Sequence, residues 1–114
     1  MSEDWGLKEE ATYLMIDSTI SKSITWQMNV NIQSERDVIF LGEESDDSFR
    51  IYLNTNKELV KSNIQKQGFE PLASNVEKFL VTKSDGRFNL FLSFSSGKSF
   101  QREWRVEYGE KIER

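Results

Sequence analysis

A chain of 114 residues with 15 basic and 19 acidic side chains but no histidine and no cysteine lacks most of the chemistry by which a sequence announces an enzyme. Without histidine, a general acid or base has to be a strongly shifted carboxylate, lysine or tyrosine. Without cysteine there is no thiolate nucleophile, no disulfide and no zinc site of the usual nitrogen and sulfur type. The net charge of -4 disfavours nonspecific attraction to nucleic acid or an anionic membrane, which need concentrated Lys and Arg.

In chain order, Trp5 and Leu7 are expected to tuck against a sheet, and Thr12 to Asp17 to form a short strand. From Ile24 to Ile32, apolar Ile24, Trp26, Met28, Val30 and Ile32 alternate with Thr25, Gln27, Asn29 and Asn31, the period of a strand with one face on the core. The uncharged stretch from Ser23 to Ser34 would invite edge-to-edge pairing at a sheet margin, so this strand is expected to be central or covered. Its amides are read either as the polar solvent face of that strand or as a binding face. A turn at Ser34 to Asp37 leads to an apolar run, Val38 to Leu41. The acidic loop GEESDDS follows, and Phe49, Ile51 and Leu53 alternate in the next strand.

Thr55 and Glu58 have the spacing of a capping box, Gly68 can adopt the left-handed conformation that ends a helix, and Pro71 forbids continuation. These signals predict a helix over Asn56 to Gln67, with Leu59, Val60 and Ile64 as a narrow apolar stripe and Phe69 packing back on Ile64. The last third reads as a meander, Lys78 to Lys83, Arg87 to Phe94 and Phe100 to Tyr108, with turns at Asp85-Gly86 and Ser96-Gly97. With no repeat, low-complexity tract or dividing linker, residues 1–114 are read as a single domain. At this length it buries roughly two thirds of its extended-chain surface. The fold expected is α+β, an antiparallel β-sheet of about seven strands curled over one central α-helix, in the order four strands, helix, three strands.

On the meander, Phe88, Leu90, Leu92 and Phe94 share one face and Phe91 points to the other. If the first turn pairs residues whose numbers sum to about 170, Phe79 and Phe91 are cross-strand neighbours. Either that face too is covered, or the pair, beside Glu103 and Arg105, is an interface anchor with a charged rim. Arg102 stands between Phe100 and Trp104 where alternation demands a core residue. A buried guanidinium needs a partner, a stack on Trp104, or an edge where its stem can reach water; alternatively Arg102 and Trp104 clamp an anionic or aromatic ligand between helix and sheet. Glu43, Glu44, Asp46 and Asp47 lack the alternate spacing of a calcium loop and read as a solvated tip or as an electrostatic dock for a basic protein.

No carboxylate spacing singles out a hydrolase pair, and the Ser-Gly and Asp-Gly pairs sit in turns. Lys98, Arg102, Arg105, Phe100, Trp104 and Tyr108 interleave basic and aromatic residues, but Glu103 and Glu107 dilute that signal for nucleic acid. The expectation is a non-enzymatic protein-binding domain of inhibitor, immunity or adaptor type that occludes a partner's surface. No cofactor, metal, nucleic acid or membrane is expected. The runner-up is a small-ligand domain using Arg102 and Trp104, an enzyme using carboxylates comes third, and a homo-oligomer through the uncharged strand is compatible with all three. No apolar run reaches the length of a membrane span or signal-peptide core, and there is no Asn-x-Ser/Thr sequon, so the expected location is cytoplasmic.

Overall fold

A stripe of Glu9, Tyr13, Ile16, Ile20 and Ser23 recurs every three or four residues, which is the spacing of one helix face and not of a strand. In the computed structural model, which describes residues 2–25, 28–43 and 47–106, this stripe belongs to helix α1 (Ser2–Thr25). Ile16 and Ile20 are fully buried, whereas Leu14 and Met15 on the opposite side are exposed. The short strand expected at Thr12 to Asp17 is therefore helical. A stripe kept at helical spacing over about four turns outweighs a short apolar run. The side chains of Trp5, Leu7 and Trp26 lie outside the described residues.

Eight strands follow among the described residues: β1 (Asn29–Ser34), β2 (Asp37–Leu41), β3 (Phe49–Leu53), β4 (Leu59–Ser62), β5 (Glu70–Ala73), β6 (Val76–Ser84), β7 (Arg87–Phe94) and β8 (Ser99–Arg105). They form two antiparallel sheets, β1-β2-β3-β4-β5 and β6-β7-β8. The chain is thus α+β with a helix packed against sheets, but the helix precedes two sheets instead of lying at the centre of one. The expected strand from Ile24 to Ile32 is cut in two. Ile24 lies in the last turn of α1, the Met28 amide donates to the Ser23 carbonyl at 3.0 Å, and the alternation survives only from Met28 onward.

The uncharged β1 is at a sheet margin. The Lys83 ammonium donates to its Val30 carbonyl at 3.2 Å, a charged cover of the kind that blunts an edge. The edge of β6 is met by turns of the first sheet, its Val81 and Val76 amides donating to Glu35 and Lys57 carbonyls at 2.8 and 2.9 Å. These bonds join the two sheets, and α1 touches both β5 and β8. One hydrophobic cluster runs from Ile16 and Ile20 through Val38, Phe40 and Ile51 to Phe79, Phe88, Leu90 and Leu92.

The helix expected over Asn56 to Gln67 does not form; that segment holds β4 between two turns of the same build. Asn54 Oδ1 accepts from the amides of Asn56 and Glu58, both at 2.9 Å, and Asn63 Oδ1 accepts from those of Gln65 and Gln67 at 3.0 and 2.9 Å. In each turn a lysine takes the left-handed conformation, Lys57 at φ 62° and Lys66 at φ 64°, giving a hairpin that a helix-capping pattern mimics. Glu58, the presumed capping-box partner of Thr55, instead accepts from the Asn54 side chain at 3.0 Å. Leu59 and Val60 face opposite sides of the sheet and both are buried. Gly68 does adopt a positive φ of 68°, but before β5, and Phe69 is 66% exposed.

Over its described residues the meander matches expectation; Glu107 and Tyr108 of the expected last strand lie outside the described residues. Asp85 and Gly86 both have positive φ, 53° and 74°, as a two-residue hairpin turn of the primed type requires. Phe88, Leu90, Leu92 and Phe94 all face the core.

Candidate functional site

The register of the meander decides which of its residues meet a partner. Ser84 pairs with Arg87, so Phe91 lies opposite Leu80, and Phe79 opposite Leu92. Residue numbers sum to 171 instead of 170, and in a sheet of period two that single step moves Phe79 to the other face. Phe79 is fully buried, so the expected Phe79 and Phe91 pair does not exist. Phe91 sits instead between Leu80 on one side and Gln101 on the other.

Phe91 and Leu80 are half-buried and fall outside the hydrophobic cluster and the residues packed on it. Around them on the same face stand exposed Lys78, Thr82, Arg87, Ser99, Glu103 and Arg105, with half-buried Asn89 and Ser93. Glu103 accepts from Arg87 at 3.4 Å, with both side chains about half exposed, a pair that contributes little to stability. The outer face of β6-β7-β8 thus has an apolar centre and a rim of both charge signs. Other exposed apolar side chains, Leu14 and Met15 on α1 and Phe69 before β5, lie outside this face.

Arg102 and Trp104 are on the inner face of β8, opposite Leu90 and Phe88, where they meet α1. All three ways of accommodating the guanidinium are realised at once. It ion-pairs with Asp17, lies 4.9 Å from the Trp104 ring, and stands on an edge strand. Asp17 also accepts from Tyr13 and Ser21, each at 3.2 Å. Ser21 accepts from the Trp104 indole at 2.9 Å, and Tyr13 stacks on Phe100 with centroids 4.4 Å apart. Burial and the adjacent Asp17 carboxylate push the Tyr13 phenol above its ordinary 10.0, against the opposing pull of Arg102. The side chains that would clamp a ligand are thereby engaged with the helix. The i, i+4, i+8 spacing of Tyr13, Asp17 and Ser21 is the signal that would have revealed this seam, once the segment is taken as helical.

Glu43 and Asp47 line an open cleft of about 780 Å³ between the end of α1 and the first sheet. Glu44 and Asp46 lie outside the described residues. Asp47 approaches Gly42 so closely that a Cβ on Gly42 would stand 2.7 Å from the Asp47 Cβ, so glycine is required where the acidic loop leaves β2. Neither Arg102 nor Trp104 lines this cleft.

The outer face of the first sheet carries a constellation that sequence reasoning missed. Arg50 donates to both Asp37 oxygens at 2.8 and 2.6 Å and to the Ile64 carbonyl at 2.9 Å. Both side chains of the pair are mostly buried, and hydrogen bonding to Asp37 raises the Arg50 pKa. The Lys66 ammonium lies 4.6 Å from the Tyr52 ring centroid. The turn that carries Ile64 and Lys66 is thus fastened over Tyr52, which is buried.

Comparison with protein-family models, curated proteins and solved structures gives no match. Among the described residues no helix is long and apolar enough to cross a membrane.

Proposed function

We propose that this chain is a non-enzymatic protein-binding domain that acts by occluding a partner's surface, with the outer face of β6-β7-β8 as its binding face. One observation carries the reading: Phe91 and Leu80 stand side by side on a solvent-facing sheet surface, inside a rim of Lys78, Arg87, Glu103 and Arg105. An aromatic anchor with an aliphatic neighbour and a mixed polar rim is the usual composition of an interface hot spot. The partner is accordingly a protein with an apolar recess edged by complementary charge. The net charge of -4 and the acidic residues Glu43 and Asp47 favour one whose remaining surface is basic, since opposite charge accelerates encounter. The cysteine-free composition suits a reducing, cytoplasmic setting.

The test is affinity capture with the intact chain and with Phe91→Glu side by side, followed by direct titration of any protein recovered. Phe91→Glu is expected to weaken binding of the recovered protein by at least about 100-fold, with an unchanged far-UV spectrum. Equal affinity for both forms would show that the meander face is not the binding surface.

A further inference from the structure

On the outer face of β6-β7-β8, the row next to the apolar pair is an ammonium followed by two hydroxyls. Lys78, Ser93 and Ser99 lie across the three strands, one row along from Leu80, Phe91 and Gln101. Lys78 and Ser99 are exposed, as is Lys98 in the turn that leads into β8. Among the described residues, neither Lys78 nor Lys98 forms an ion pair. Glu77, beside Lys78 in the chain, is taken by the Lys57 ammonium at 3.2 Å and the Ser95 hydroxyl at 3.1 Å. Glu103, on the same face as Lys78, stands two rows away and accepts from Arg87. Nor, among the described residues, is another aromatic ring or a cation placed against the Phe91 ring.

An unpaired ammonium beside an apolar pair makes two demands on whatever covers them. Burying Phe91 and Leu80 under a partner draws Lys78 partly out of water, which costs free energy unless the partner supplies a negatively charged acceptor. Adjacent rows on one face of a sheet are about 7 Å apart, which is also the separation of side chains i and i+2 in an extended chain. We infer that the partner segment docking on this face carries an aspartate or glutamate at Lys78 and, two residues away, an apolar side chain on Phe91 and Leu80. Lys98 adds positive charge at the same end of the face. The inference rests on the meander face being the binding face. It makes the docking segment itself acidic, whereas the net charge of -4 favours a basic surface around it.

The probe is a phage library of random dodecapeptides panned on the intact chain, with every binder that Phe91→Glu also captures discarded. The expected consensus has Asp or Glu two positions from an aromatic or aliphatic residue. A synthetic consensus peptide, titrated by fluorescence anisotropy, should bind Lys78→Gln about fivefold more weakly than the parent chain, and Lys78→Gln/Lys98→Gln about tenfold. Phe91-dependent peptides with no excess of acidic residues would overturn the inference and leave the binding face standing. So would a consensus peptide bound alike by the parent and the lysine variants. Failure to enrich any Phe91-dependent peptide would overturn the binding-face reading, and this inference with it.

Discussion

The two sheets treat their outer faces differently. On the first, Tyr52 and Val60 would be exposed by their place in the sheet, yet they are buried. The turn between β4 and β5 is held by Arg50, Asp37 and the Ile64 carbonyl, with Lys66 above the Tyr52 ring. On the second, Phe91 and Leu80 occupy the equivalent central positions, and among the described residues neither belongs to the hydrophobic cluster or to the side chains packed against it. The chain can cover an apolar patch with its own turn, and among the described residues none covers the second patch in this way, which makes it the better candidate for a partner.

The largest effect that sharpens this contrast separates the two phenylalanines of the meander. Phe79→Ala removes a fully buried side chain and is expected to cost about 3–5 kcal/mol in urea denaturation. Phe91→Ala on the half-buried outer face should cost less than about 1 kcal/mol. Comparable losses would mean that Phe91 is covered as Phe79 is, and the binding face would have to be sought elsewhere.

The next effect concerns the covered face. Asp37→Ala leaves the mostly buried Arg50 with the Ile64 carbonyl as its remaining hydrogen-bond acceptor of those it now engages. An uncompensated buried charge of this kind costs about 3 kcal/mol. Replacing both partners together, Asp37→Leu with Arg50→Met, should recover much of that loss, because two matched apolar side chains strand no charge. If the double variant is no more stable than Asp37→Ala, the fastening of the turn depends on more than this pair.

The same contrast explains how much of the molecule was legible in the sequence. The meander was, because Asp85-Gly86 fixes the hairpin and the row from Phe88 to Phe94 has one uninterrupted period. Even there one residue of register separated Phe79 from its expected partner, and no composition signal sets a register that finely. The middle third misled because Thr55, Glu58 and Gly68 satisfy helix-end rules. Asn54 and Asn63, nine positions apart in the numbering, make matching side-chain bonds to their own turns that compete with those rules. At the N-terminus the stripe through Ile16 and Ile20 has Glu9 and Ser23 at its ends, so it reads weakly as an apolar helix face. The need of Arg102 for a partner was readable from its position. That the partner is Asp17, 85 residues away, depended on a helix that the strand reading had removed.

The smallest effect tests that last contact, where α1 covers the inner side of β8. Tyr13 donates to Asp17, and its pKa is raised above 10.0 by burial and by that carboxylate. The folded state therefore holds the phenolic proton more tightly than the unfolded chain does. Its contribution is fully present below pH 10.0, the unfolded value, and is lost as pH rises through the higher folded value. Two-state denaturation curves for the parent and for Tyr13→Phe should differ by a constant at neutral pH and converge above pH 10.0. Parallel curves across that alkaline range would show that Tyr13 titrates alike in both states, and the polar seam would then reduce to Asp17, Arg102, Ser21 and Trp104.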